Sequence, residues 1–476
     1  MGLISEYLSN PSNPRSNLPP GKKNPTLPHP IEPKPTSFAF RKCRLRKTGG
    51  IFFQNSPPVT NSKEKIFTPY QIFIIVILAL TQFTIVLDFM VLSPLGAILL
   101  KELDITTGQF GWVVSAYAFS AGASGLLASG FADRFDRKRL LMFFYTGFVI
   151  GTFLCGIAPN YHFLLIARIV TGIFGGVIGS VSFAIITDLF PFQVRGRVMG
   201  FVQMAFASSQ VLGLPIGLYF ANIWGWHAPF LMIVGLAVLI LLAIILKMQP
   251  VTAHLALQNE RSAFGHMFKT VADSRYLQVF LATTLLATGG YMLMPFGTAY
   301  AVGNLGLKME QLPLIYFVTG ICSMIAGPLI GKLSDMIGSY RVFVAGSILT
   351  IVVVLIYTNL GITPLWLAIV INSVLFVGVT SRLISSSALN TAVPDPADRG
   401  AFMGINSSVA QVSGGIATAV AGMIVVKTES GYLEHYPLLG IVVMVAMIIT
   451  MLQLYKVHKA LRERKRLAEA VNDLTK

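Results

Sequence analysis

The chain has 476 residues, a net charge of +16, and a composition that is 54% hydrophobic and only 12% charged. An average soluble protein is about 25% charged, so an ordinary soluble domain is excluded, as is a disordered chain, which needs low hydrophobicity. A polytopic membrane protein is left, and at about 20 apolar residues per span the length holds twelve spans with loops and tails.

In chain order, residues 1–65 come first. They carry 11 of the 25 prolines and 11 Lys/Arg against three acids. They contain no apolar run of signal-peptide length, and the proline load argues against a transit peptide. The segment reads as a disordered, basic, Pro-rich tail. Apolar runs then alternate with short polar connections. Spans are expected near 70–96, 109–131, 139–158, 162–190, 198–220, 227–248, 276–302, 311–333, 341–361, 364–391, 400–426 and 436–456. The longest polar gap, 249–275, divides them into halves at 66–248 and 276–456 and reads as a cytoplasmic loop. Residues 457–476 are basic with a helical pattern and are expected to rest on anionic headgroups. Cys43, Cys155 and Cys322 are far apart and imply neither a disulfide framework nor a metal site.

The charge has a direction. With the N-terminus inside, the outward connections carry only Lys101, Lys308 and Lys427, while Arg168 and Arg382 fall within spans. The other 31 Lys/Arg lie in tails, inner loops and inner span ends. The excess therefore marks a cytoplasmic face rather than a nucleic-acid surface, and both termini are expected in the cytoplasm. An internal repeat agrees with the division. Arg195-Gly196-x-x-Met199-Gly200 recurs as Arg399-Gly400-x-x-Met403-Gly404, and Gln210-Val211-x-Gly213 as Gln411-Val412-x-Gly414. Asp133 and Asp335 are related by nearly the same offset. Matches that recur six spans on indicate two homologous halves.

Ser129-Gly130-Phe131-Ala132-Asp133-Arg134-Phe135-Asp136-Arg137-Lys138, between spans two and three, resembles the G-x-L-A-D-R-x-G-R-K loop of the major facilitator superfamily. Ser129 and Asp136 stand where that pattern has glycines. Gly331-Lys332-Leu333-Ser334-Asp335-Met336-Ile337-Gly338 looks like its degenerate copy in the second half. Leu87-Asp88 with Pro94, and Arg168-x-x-x-Gly172, resemble motifs of bacterial drug–proton antiporters and sugar-efflux permeases. The fifth-span motif of those antiporters has a Gly-Pro pair, and here Leu214 separates Gly213 from Pro215. The resemblance, over about residues 66–456, implies an all-α membrane protein of twelve transmembrane helices in two six-helix pseudo-symmetric halves, the major facilitator fold.

Ionisable groups within a bilayer are costly and need a reason. At about 1.5 Å per residue, Asp88 and Arg168 fall at similar depth in the outer half of the membrane, and the resemblance puts their helices beside the central cavity. Asp88 is the candidate proton carrier, because desolvation opposes its charge and a nearby guanidinium favours it. The alternative is a fixed ion pair. Arg168 reads as a structural and tuning partner. Arg382, followed by Ser385, Ser386, Ser387 and Asn390, either belongs to a cavity-facing polar stripe or snorkels to the cytoplasmic headgroups. By family analogy Asp133 caps the eleventh helix and Arg137 meets Asp188, forming a cytoplasmic gate. Lys138 and Arg139 read as ordinary inner-face charge.

Gly213, Pro215 and Gly217 in the fifth span, and Gly289, Gly290 and Pro295 in the seventh, are candidate flexing points, and Gly327-Pro328 suggests a break in the eighth. Gln203, Tyr291, Asn372, Asn406 and Gln411 are candidates to line the substrate cavity. Tyr117, Phe119, Met204, Met292 and Phe296 could offer it an apolar lining. The sequence holds no nucleotide-binding loop and no metal-ligand or catalytic cluster, so no cofactor or metal is expected and an enzyme is disfavoured. The expected function is secondary active transport by alternating access, most simply proton-coupled efflux of a small organic molecule such as a drug-like compound or sugar. The alternative is a proton-linked symporter or a facilitator that imports a sugar or metabolite. The expected setting is a bacterial inner membrane. The expected partners are lipid, substrate and protons, with no nucleic acid, and the expected state is a monomer.

Overall fold

A computed structural model describes residues 67–128, 134–252, 255, 270–271, 273–394 and 399–474. The basic tail 1–65, the loop residue Asp133 and most of the connection 249–275 lie outside the described residues.

Among the described residues, twelve helices are long and apolar enough to cross a membrane. α1 (Pro69–Val91) starts at a capping box. The Thr68 hydroxyl accepts from the Gln71 N–H, the Gln71 amide oxygen accepts from the Thr68 N–H, and Pro69 stands first in the helix. It does not run on to residue 96 as the apolar pattern suggested. Pro94 has no N–H to donate and disfavours helix in the residue before it, so the chain turns over Leu92–Leu95 and restarts as a short helix, Gly96–Glu102. Then follow α2 (Thr107–Ala128), α3 (Arg137–Gly156) and α4 (Tyr161–Leu189). α5 begins as Phe192–Ser208, passes through a π-helical turn at Ser209–Gly213 and ends as Leu214–Trp224. α6 (Ala228–Lys247) completes the first six.

α7 is broken as its glycines and proline suggested. Ser274–Tyr291 gives way to a 3-10 turn at Met294–Phe296 and then to Gly297–Gly303. α8 (Leu312–Ile337) is not broken, and Pro328 is carried inside one continuous helix. α9 (Ser339–Thr358), α10 (Leu365–Thr391) and α11 (Arg399–Ile424) follow. A small antiparallel hairpin, β1 (Val426–Lys427) with β2 (Leu433–Glu434), leads to α12 (Tyr436–Leu474). α12 carries the basic C-terminal segment as its own unbroken extension. Val457 and Leu461 of that extension pack on protein, while Lys459, Arg462 and Arg464 are exposed, and no Gly or Pro after Gly440 interrupts the helix.

Membrane helices associate by close packing of small residues rather than by a hydrophobic force between them. α4 meets α2 in this way. A Cβ added at Gly176 would come within 2.3 Å of the Ala121 carbonyl oxygen, and one at Gly172 within 2.5 Å of the Tyr117 carbonyl oxygen. Across the halves, α2 packs along α11 and the middle of α5 packs on α8.

The apolar cores are unequal at the two ends. At the end bearing the α1–α2 and α7–α8 connections, one cluster joins both halves, including Leu92, Leu95 and Phe110 from the first and Met292, Phe296 and Tyr300 from the second. Hydrogen bonds cross there too. Ser93 donates to the Met294 carbonyl, Thr298 Oγ1 donates to the Ser93 carbonyl at 3.0 Å, and Thr107 donates to the Val425 carbonyl. At the opposite end the first half has its own core and the second half has two smaller ones, with Leu126 of α2 touching the latter.

Candidate functional site

Asp88 and Arg168 meet. Arg168 Nη1 donates to Asp88 Oδ2 at 2.8 Å, and neither side chain has any exposure. Thr152 of α3 donates to the other carboxylate oxygen at 3.2 Å. The Tyr117 ring of α2 lies 4.6 Å from the guanidinium carbon, a cation–π contact that strengthens when desolvated. Thus α1, α2, α3 and α4 each supply one polar or aromatic group to a single buried charge pair. Among the described residues, Arg168 Nε and Nη2 have no close hydrogen-bond partner, and the Cys155 thiol of α3 lies beside the guanidinium.

The pair is tied to the rest of the fold on two sides. On one, Gly213, at the end of the π-helical turn of α5, presses on the residue before Asp88, and a Cβ there would meet Leu87 at 2.5 Å. Gly217 lies against Val91 one turn on, at 3.1 Å. Pro215 is buried in the same helix. On the other side, an aromatic chain leads to the second half. Phe89 lies 5.4 Å from Tyr117 and 5.8 Å from Tyr291, and Tyr291 packs over Gly414 of α11. Tyr291 is the last residue of α7 before its break.

The remaining cavity candidates divide. Asn406 accepts from Thr283 at 2.7 Å, and Asn390 donates to the same hydroxyl at 3.3 Å, so α7, α10 and α11 share a polar cluster. Gln411 packs on α2 opposite Gly122. Asn372 donates to the Ala368 carbonyl of its own helix at 2.9 Å and also hydrogen-bonds Tyr357 of α9. Gln203 and Met204 beside it are exposed on α5. Met292 and Phe296 belong to the shared apolar core.

Arg382 does not snorkel. It is 2% exposed, 6.0 Å from the Phe343 ring, and its guanidinium sits 3.5 Å from where a Gly289 side chain would start, with Met447 beside it. Gly289 leaves room for it and Phe343 offers a π face. Its expected stripe is split, because neighbouring residues on a helix point about 100° apart. Ser385, Ser386 and Asn390 are buried, whereas Ser387 is exposed.

At the end of the bundle with separate cores, Arg137 Nε meets Asp188 Oδ2 at 3.1 Å, both nearly buried. Asp133 lies outside the described residues. Asp136, which stands where the loop pattern has a glycine, caps α3. Its Oδ1 accepts from the Lys138 N–H at 3.0 Å and from the Val251 N–H at 2.8 Å, while the Arg137 N–H donates to the Val251 carbonyl at 3.2 Å. Arg195 donates to the Phe190 and Thr187 carbonyls and so closes the end of α4. Sequence reasoning missed Thr152, the Asp136 cap and the π-helical turn. An aspartate just before a helix is a readable cap signal. A threonine inside an apolar span is not a readable ligand signal.

Residues 78–418, and in a second match 279–474, fit the model of the Major Facilitator Superfamily. The uncharacterized MFS-type transporter YceJ of Bacillus subtilis (strain 168) is 29% identical over 272 residues, 56% of this chain and 68% of its own. Multidrug resistance protein 3 of the same organism is 33% identical over 172 residues, 33% of this chain, and the match spans about a third of that relative's length, 34%. Among solved structures, a bacterial homologue of the human lysosomal transporter Spinster, inward-facing and occupied, superposes with a TM-score of 0.65 at 15% identity, covering 83% of this chain and 98% of that one. That likeness is of fold. Twelve membrane-crossing helices and a family match over most of the chain lead to one statement: this chain belongs to the Major Facilitator Superfamily and is a multi-pass membrane transporter.

Proposed function

We propose that the protein is a proton-coupled exporter of small organic molecules, working by alternating access, with Asp88 as the proton carrier and Arg168 as its partner. The observation that carries this reading is the wholly buried Asp88–Arg168 pair, held by four helices of the first half and linked through Phe89 and Tyr291 to the broken helix of the second. A proton arriving at Asp88 weakens its hold on the guanidinium. Freed donors on Arg168 then bias the packing of α2 and α4. The similarity to multidrug resistance proteins supports efflux.

In the same reading the Lys/Arg-rich end is cytoplasmic, the chain lies in a bacterial plasma membrane with both termini inside, and it acts as a monomer without nucleic acid, cofactor or enzymatic chemistry. The halves at 66–248 and 276–456 move as units about the connection 249–275. The shared core and crossing hydrogen bonds then close the outer side, so the described state is inward-facing. Arg137–Asp188, with Asp133, forms the inner gate. The polar cluster around Asn406, together with Tyr291 and Gln411, contacts substrate. Gly213, Pro215, Gly289 and Pro295 serve as flexing points.

The test is transport by the purified chain in liposomes across a substrate panel, with and without an imposed pH gradient. Acceleration by the gradient in the wild type and its loss in Asp88→Asn, with insertion verified, is the expected result. Gradient-independent flux that is unchanged in Asp88→Asn overturns it. The second reading, a proton-linked symporter or facilitator, is favoured by the inserted Leu214 in the fifth-helix motif. Accumulation of substrate on the side of proton release would select it.

A further inference from the structure

The Lys/Arg-rich end of the second half holds a cavity lined by none of the residues assigned above to proton coupling, gating or substrate. About 250 Å³ in volume, it lies between the end of α8, the start of α9 and the late turns of α12, and is lined by Ile337, Gly338, Tyr340, Arg341, His458 and Arg462. Arg341 and Arg462 both act electrostatically on His458. Among the described residues none of the three has an acidic partner. The acids nearest in sequence, Asp335 and Glu463, are exposed and do not line the cavity. One wall is rigid. Tyr340 stacks on His458 with ring centres 5.1 Å apart and planes 14° apart, and it also meets Tyr455 at 5.7 Å. The floor is the first turn of α9, a helix of 20 residues capped by Gly338 with no side-chain cap bond. Its leading N–H groups add partial positive charge.

Two features fix the ligand's chemistry. The cavity lies where the span of α8 ends at Ile337, that of α9 begins at Ser339 and that of α12 runs out at Arg464, the place along a membrane helix that corresponds to headgroups. Beside the cations, an apolar surface continues along the helices. Leu333 and Met336 on α8, and Leu452 and Tyr455 on α12, are all exposed. A cationic pocket joined to an exposed apolar strip fits a molecule with an anionic head and acyl chains. A basic pocket between membrane helices on the cytoplasmic side suits such headgroups.

We infer that this pocket is a specific site for an acidic phospholipid, whose phosphate is held by Arg341 and Arg462 and whose chains lie along α8 and α12. It bridges the α8–α9 hairpin and the extension of α12.

The test uses the full purified chain in detergent, titrated with phosphatidylglycerol or phosphatidylcholine, with bound lipid counted by native mass spectrometry and stability read by thermal unfolding. Phosphatidylglycerol is expected to bind more tightly, and the preference to fall about fivefold for each of Arg341→Gln and Arg462→Gln. Lys459→Gln, on the same helix but outside the pocket, is expected to change nothing. Three results overturn the proposal: equal binding of the two lipids by the wild type, an equal loss in Lys459→Gln, or displacement of phosphatidylglycerol by millimolar inorganic phosphate. Because the readouts are binding and stability, they are independent of whether transport is proton-coupled.

Discussion

Arg168 holds Asp88 at 2.8 Å with no exposure on either side, and the carboxylate's second oxygen is taken by Thr152. The two partners of this pair are unequal when separated. A lone buried carboxylate can discharge by binding a proton, whereas a lone guanidinium stays charged. Asp88→Asn is therefore expected to destabilise more than Arg168→Gln, within the range of about 3–5 kcal/mol for breaking a buried pair. The double variant recovers part of the loss. Thermal unfolding of the three variants in detergent checks the order, and equal destabilisation by both single variants contradicts it.

The contact between α2 and α4 sets the position of Tyr117 over Arg168. A methyl at Gly176 would stand 2.3 Å from the Ala121 carbonyl oxygen. Gly176→Ala must push the helices apart, at a cost of about 1–3 kcal/mol, with transport lowered because the cover of Arg168 shifts. Gly235→Ala in α6 meets no atom within 4 Å. It is expected to be neutral or stabilising by up to about 1 kcal/mol. Comparison of the two melting temperatures decides whether close approach, rather than helix propensity, governs these glycines.

Asp136 serves two backbone donors at once, Lys138 in α3 and Val251 after α6. Asp136→Ala should cost about 1–2 kcal/mol through the lost cap and the orphaned N–H groups. Asp136→Asn keeps an acceptor and should stay near wild type. Hydrogen exchange at Val251, faster in the alanine variant alone, would report the anchor directly.

Ser93 and Thr298 touch across the halves, the threonine hydroxyl donating to the serine carbonyl at 3.0 Å. With cysteines at both positions, oxidation should link the turn after α1 to α7 and arrest transport, and reduction should restore it. Full activity of a quantitatively cross-linked protein would mean that this end does not open during the cycle.

Much of the fold was legible because a bilayer imposes coarse rules. Span length, the Lys/Arg asymmetry and the repeated Arg-Gly-x-x-Met-Gly and Gln-Val-x-Gly motifs pointed to twelve helices in two halves, and Pro295 announced the break in α7. Pro94 and Pro328 show the limit. Both are prolines in apolar runs, yet one ends its helix and the other rides inside a continuous one. Neighbouring helices and turns decide which backbone groups find partners elsewhere.

By itself, the sequence determined that Asp88 and Arg168 are costly charges within the membrane, while the family resemblance supplied the expectation that Asp133, Arg137 and Asp188 gather near one face. Only the tertiary structure decided partners. It joined Asp88 to Arg168, added Thr152 and Tyr117, and sealed Arg382 against Gly289 and Phe343. The reason is rotational. Hydropathy reports how deep a residue lies along a helix, but which neighbour it faces depends on how that helix is turned and packed, and small residues such as Gly172, Gly176 and Gly213 set that packing through contacts far away in sequence.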